Sequence, residues 1–227
     1  MKRIISFLIS FTLILAGISA EKWKNKIGLG FTLPLSSLEF DEENTDSVFT
    51  KGFGANGFFL GVKDNGFSLK AGFSLGVSSS DDININGKLI DTGFFYDVAF
   101  GAGYTFVKTE NLTVSLLGML GFDVTIFNST DNDVIEDSKN YKKIETQYSM
   151  GTLDVGLDLF LSYKVLTHFG FYTNLGLRYI PKGSSAFEKK WTFDEDGYEK
   201  TYSCKIEASD LKGKFRFLPA IGIMWNF

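Results

Sequence analysis

Past residue 15 the chain lacks any apolar run long enough to cross a bilayer as a helix, which takes about 20 residues. Helical membrane spans are therefore excluded beyond the amino-terminal leader. Cys204 is the single cysteine, so no internal disulfide can form. His168 is the single histidine, and no Cys/His/carboxylate spacing suits zinc. No catalytic, metal-binding or cofactor-binding residue is assigned, and a non-enzymatic protein is expected. Basic residues are also in short supply. Removal of Lys2 and Arg3 with a leader leaves 21 Lys+Arg against 27 Asp+Glu, an excess of six acids that argues against a nucleic-acid partner. Gly-x-Gly runs such as Gly28 to Gly30 and Gly101 to Gly103 lack the following helix that phosphate binding requires.

The leader itself is legible. Lys2 and Arg3 precede an apolar run from Ile4 to Leu15, and Ala16, Gly17, Ser19 and Ala20 follow before Glu21. This pattern predicts a cleaved secretory signal over residues 1–20 and a single domain over residues 21–227.

What the chain has in abundance is glycine and phenylalanine, 24 of each, arranged with a period of two. Ile27, Leu29, Phe31, Leu33 and Leu35 share one face of a first strand. Phe67 to Val77, Phe94 to Phe106, Leu112 to Ile126, Leu153 to Tyr163 and Phe169 to Tyr179 repeat the alternation, and the last strand ends with Ile221, Ile223, Trp225 and Phe227. A segment from Phe53 to Val62 does not alternate cleanly. A two-residue hairpin loop within Lys63-Asp64-Asn65-Gly66 predicts Val62, Leu60 and Phe58 on the lipid face, whereas a three-residue loop reverses this. The connections near 64–66, 107–111 and 164–168 are short, and those at 36–51, 79–91, 128–147 and 181–213 are long. The expected fold is all-β: an eight-stranded antiparallel up-and-down transmembrane barrel, with short turns and both termini periplasmic and long loops extracellular.

Alternation alone also fits a soluble lipocalin-like barrel that binds a ligand within. Two features favour the membrane. The polar faces carry mostly Gly, Ser, Thr and Ala rather than Lys and Glu, and Tyr104, Phe106, Tyr163, Phe169, Phe171, Trp225 and Phe227 gather near the short-turn ends as an interfacial girdle does.

The final strand, with Ile221, Ile223 and Trp225 alternating up to an aromatic Phe227, resembles the closing strand of bacterial outer-membrane barrels, whose carboxy-terminal pattern is read by the insertion machinery. The whole mature chain resembles the small eight-stranded outer-membrane proteins, the group of the OmpA membrane domain, OmpX and Ail, and OmpW. That resemblance implies a bacterial outer-membrane location and partners in outer-membrane lipid and the barrel-insertion machinery; the peptidoglycan-binding periplasmic half of the full OmpA type is not expected after Phe227. Some barrels of this size act on lipid A with a histidine at the outer leaflet, but His168 falls in a short periplasmic turn.

Asp97, Asp123, Asp154 and Asp158 fall on inward positions, as do Arg178, Lys214 and Arg216, with Lys70 lower down. A symmetric turn at 164–168 would place Tyr163 opposite Phe169 and Asp154 directly opposite Arg178. The four aspartates with Arg178, Lys214 and Arg216 are expected to form a network that closes the lumen; a narrow passive channel for ions or small solutes is the alternative. In the last loop Trp191, Phe193, Tyr198 and Tyr202 are candidate contacts for a host or surface protein, or else pack the loop on itself as a hairpin about Glu195-Asp196-Gly197.

Overall fold

The computed structural model describes residues 23–40, 48–80, 84–85, 88–89, 92–136, 139–195 and 198–227; the expected leader at 1–20 lies outside them. Among these residues the chain forms strands joined by turns: β1 (Trp23–Thr32), β2 (Leu35–Phe40), β3 (Val48–Lys63), β4 (Phe67–Ser80), β5 (Asn84–Ile85), β6 (Lys88–Leu89), β7 (Thr92–Lys108), β8 (Leu112–Glu136), β9 (Lys139–Lys164), β10 (Phe169–Glu195) and β11 (Tyr198–Asn226). Each long strand pairs antiparallel with its neighbour in sequence, and β1 pairs with both β3 and β11, so the ring closes. β2 continues β1 as the same stave, pairing with β11 and β3. The eight staves are those expected, and closure leaves no backbone edge in the lipid. The stave breaks at Leu33-Pro34, opposite Pro219, because neither proline has an N–H for the ladder. Leu33 still donates to the Pro219 carbonyl at 3.1 Å, and Pro34 accepts from Gly52 at 2.8 Å.

The apolar faces point outward. Leu29, Phe31, Phe94 and Ile221 are each 60–65% exposed, and Tyr104, Phe106, Tyr163, Trp225 and Phe227 form the expected aromatic band at the short-turn end. Surface of this kind is stable only against lipid tails, which excludes the soluble barrel.

The β3–β4 connection corrects one expectation. Its loop has three residues, 64–66, with Val62 opposite Ser68. Val62, Leu60 and Phe58 therefore face the lumen, with exposures of 2%, 0% and 6%. The reason is Gly66, whose φ of 91° takes up the extra residue in the left-handed region, while its N–H binds the Lys63 carbonyl and the Asn65 side chain accepts from Phe67 N–H. A Cβ at Gly66 would also lie 2.6 Å from the Tyr104 ring. Gly66→Val is expected to cost at least ~1 kcal/mol, measured as a lowered urea midpoint of the refolded barrel.

The second correction concerns the β9–β10 register. Tyr163 pairs with Phe171 rather than Phe169, and Arg178 lies opposite Gly156 rather than Asp154. The Phe169 carbonyl accepts from both Val165 and Leu166, which makes the turn asymmetric and slides the strands by two residues. A slip of two keeps every side chain on its face.

The third correction is length. Two segments expected as long loops, 128–147 and 181–213, are mostly strand. The β8–β9 ladder keeps one register out to Glu136↔Lys139, and the β10–β11 ladder, interrupted between Tyr179 and Gly183 and bulged at Ser184/Ser185, resumes and runs to Glu195↔Tyr198. The lipid-facing alternation stops where the membrane ends, but backbone pairing does not need it. β8 to β11 thus project beyond the barrel as a four-stranded sheet, whereas β4 and β7 end at Ser80 and begin at Thr92.

Candidate functional site

The lumen is filled in two layers. Nearer the short turns, Phe58, Leu60, Val62, Leu117, Met119, Phe160, Tyr172 and Met224 form a buried apolar cluster. Phe58 stands edge-on to Phe160 and Tyr172, with ring centroids 4.9 and 4.6 Å apart, and those two rings stack on each other. Staves on opposite sides of the barrel therefore meet across its axis through three rings. Below them Ser68, Thr105 and Ser115 are linked by hydroxyl contacts of 2.7 Å.

Above the rings lies the charged layer. Tyr172 Oη donates to Asn56 Oδ1 at 2.8 Å, and Asn56 donates in turn to Ser74 Oγ. The slipped β9–β10 register sets Arg178 diagonally between two acids on β9. It donates from Nη1 to Asp154 Oδ1 at 3.0 Å and from Nη2 to Asp158 Oδ1 at 3.2 Å. Asp158 also accepts from Lys70 Nζ at 2.7 Å, and Lys70 reaches Asn174 Oδ1 at 2.6 Å. Arg216 donates from Nη2 to Asp123 Oδ2 at 2.5 Å and from Nη1 to Asp97 Oδ2 at 3.4 Å, and lies 3.6 Å from Asp154 Oδ2. Asp154 and Asp158 thus join both arginines and Lys70 into one network. All seven charged side chains are buried, and such groups persist away from water only when paired. Lys214 belongs to β11, but its side chain lies outside the described ones.

The sequence placed the four aspartates and two arginines on inward positions, and the structure brings them together. It also brings in Lys70 as a full member and adds an apolar plug that strand alternation did not single out, because Phe58, Leu60, Leu117 and Phe160 occupy positions of the polar face. The space left beside Lys70, Asp158 and Arg178 is about 30 Å³, room for about one water.

The second feature is the projecting sheet. Trp191 pairs with Tyr202 across β10 and β11, the Phe193 and Tyr202 rings stack at 5.3 Å, and Lys189 Nζ lies 5.3 Å over the Trp191 ring. The packing alternative thus describes much of this aromatic group, though Tyr202 remains more than half exposed. Tyr198 closes the ladder opposite Glu195, but its side chain lies outside the described ones, as do residues 196–197. Lys142 donates to Glu199 and so ties β9 to β11 across β10. That hydrogen bond, with the ammonium charge behind it, holds the Glu199 carboxyl below its usual range. Among the described residues, Asn128–Glu136 of β8 and Tyr198–Asp210 of β11 each have a ladder partner on one side only.

His168 sits at the short-turn end, stacked on Trp225, with Nδ1 3.0 Å from the Asn226 carbonyl. Ile221, Ile223, Trp225 and Phe227 all point outward.

No protein-family model and no curated protein matches the chain. Solved structures do. A major outer-membrane protein from Thermus thermophilus shares 13% identity at a TM-score of 0.52, and Neisserial surface protein A shares 12% at 0.50. Ail, the attachment invasion locus protein of Yersinia pestis, shares 13% at 0.43. Each comparison covers 91% of this chain and 100% of the other. Identities this low bear on fold alone. Closed eight-stave ring, outward apolar faces and structural neighbours together make this chain an integral outer-membrane β-barrel with the architecture of the small bacterial outer-membrane proteins.

Proposed function

We propose that the protein is a non-enzymatic outer-membrane scaffold that holds the β8–β11 sheet outside the cell to engage a host or surface protein. Short turns and both chain ends then face the periplasm, and the final strand, through Ile221, Ile223, Trp225 and Phe227, serves as the insertion signal. The observation that carries this reading is the continuation of four of the eight staves well past the span a membrane needs, which is about 9 to 11 residues per strand. Backbone ordered so far from the membrane costs conformational entropy, and the exposed sheet edges it creates are ready strand-addition sites. Lys and Glu along β11 restrain these edges from pairing with further copies. The filled lumen supports the same reading against a passive channel, since three meeting rings and a paired charge layer stand in any conduction path.

Two measurements test it. In planar bilayers the refolded chain should give no discrete current steps; reproducible steps would overturn the scaffold reading in favour of a pore. Bacteria displaying the chain should adhere to host-cell or matrix surfaces, and replacing Trp191, Phe193 and Tyr202 together by Ser should reduce that adhesion severalfold while the heat-dependent gel shift of the barrel is kept. Adhesion equal to that of bacteria lacking the protein would sink the contact role.

A further inference from the structure

The short-turn mouth of the lumen is a blind, basic cup. It has a volume of about 340 Å³ and is lined by Lys24, Lys26, Lys108 and Lys164, with Glu110 as the one acidic side chain among the described residues that line it and Val62 at its floor. Phe227, the last residue, also lines it, an oxygen of its terminal carboxylate accepting from the Asn25 N–H at 3.0 Å. Above Val62 the apolar plug separates the cup from the charged layer, so it leads nowhere. The lysines converge because β1, β7 and β9 all end here: Lys26 pairs with Asn226 and Leu60, Lys108 with Thr113, and Lys164 with Gly170.

Their partners differ sharply from those of the interior cations. Lys70, Arg178 and Arg216 each touch at least one aspartate. Lys26 is nearly as buried as they are, at 9% exposure, yet among the described residues its ammonium donates only to neutral oxygens, Asn226 Oδ1 at 3.0 Å and Ser162 Oγ at 3.3 Å. A buried charge with no countercharge in contact is costly, and Lys24, Lys108 and Lys164 share the cup with it. Lys24 has no carboxylate partner among the described residues. Lys164 stands 4.0 Å from a Glu110 that is almost wholly in solvent. Only Lys108 is well occupied, by the Lys63 and Asp64 carbonyls and, at 3.7 Å, the Asp64 carboxylate.

We infer that this cup binds a small phosphate-bearing anion, with Lys26 at its base and Lys24 and Lys164 at its rim. Ammonium groups act as point charges toward phosphate oxygens, their three donors leave Lys26 able to keep its Asn226 contact while gaining an anionic one, and the volume suits a compact ligand rather than a polymer. A free phosphate ester and a lipid headgroup reaching over the rim present the same chemistry. The site stands on geometry alone and does not depend on which way the barrel faces.

The test uses the full mature chain refolded in zwitterionic detergent at low salt, with pyrophosphate as the probe and titration calorimetry as the readout. One saturable site is expected, weakened at least tenfold in Lys26→Met and unchanged in Lys205→Met, which alters a lysine of the projecting sheet. Absence of saturable binding, or equal binding by wild type and Lys26→Met, would overturn the inference. Should Lys26→Met fail to give the folded gel shift, the rim pair Lys24→Met/Lys164→Met replaces it: a tenfold loss supports the site and an unchanged affinity rejects it. With binding established, displacement of pyrophosphate by vesicles of phosphatidylglycerol, but not phosphatidylcholine, assigns the ligand to lipid headgroups; failure of both to displace it assigns a soluble phosphate.

Discussion

Replacing Arg216 by Met is expected to be among the most damaging single changes in this barrel. Arg216 is 2% exposed and is the cation nearest both Asp97 and Asp123. Without it, four buried aspartates face only Lys70 and Arg178 among the described side chains, and both of those are already engaged by Asp154 and Asp158. Removing one partner of a buried pair typically costs ~3–5 kcal/mol, because the remaining charge keeps its desolvation penalty. The measurement is the urea midpoint of the refolded chain, with the heat-dependent gel shift reporting the folded fraction. Adding Asp97→Asn and Asp123→Asn to Arg216→Met should recover part of the loss, since contacting residues do not act additively. An unchanged midpoint in the single variant would mean that solvent reaches these carboxylates, and the sealed-lumen description would fall with it.

Truncation of the plug should rival that effect by a different route. Phe58→Ala removes a ring that contacts both Phe160 and Tyr172 across the lumen, and large-to-small changes of buried aromatic residues cost ~3–5 kcal/mol, part of it for the cavity left behind. Phe31→Ala provides the contrast. Its ring faces outward and is 60% exposed, so lipid fills the vacated space and the cavity component is missing. A clearly larger fall in the urea midpoint for Phe58→Ala than for Phe31→Ala is therefore expected. Equal losses would place Phe58 on the lipid face, as a two-residue β3–β4 loop would have done.

That comparison shows how narrowly some features escape a reading of the chain. Phe58 and Phe59 are adjacent and chemically identical, and the choice of which one faces the lumen hangs on a single residue in the hairpin loop. Gly66 in the left-handed region adds that residue, and parity carries the consequence to every side chain of β3. The β9–β10 slip had a gentler effect: two residues preserve parity, so Arg178 stayed inward but met Asp154 and Asp158 diagonally instead of Asp154 head-on. Where alternation was strict, as in β4 and β7, the faces were legible without any structure. The projecting sheet was not, because its strands leave the apolar medium that makes one face uniformly hydrophobic. The basic cup escaped notice for another reason: the Lys24/Lys26 pair, Lys108 and Lys164 lie on three staves that are far apart in the chain.

Alternation along the chain was enough for the class of the protein, the number of staves and the inward placement of Asp97, Asp123, Asp154, Asp158, Arg178 and Arg216, since all of these follow from a period of two imposed by a lipid outside and a narrow lumen within. Tertiary structure alone decided which charges pair, what plugs the lumen and how far the hairpins extend. Those outcomes depend on turn geometry and cross-strand register, and register is a property of two segments together that neither carries alone.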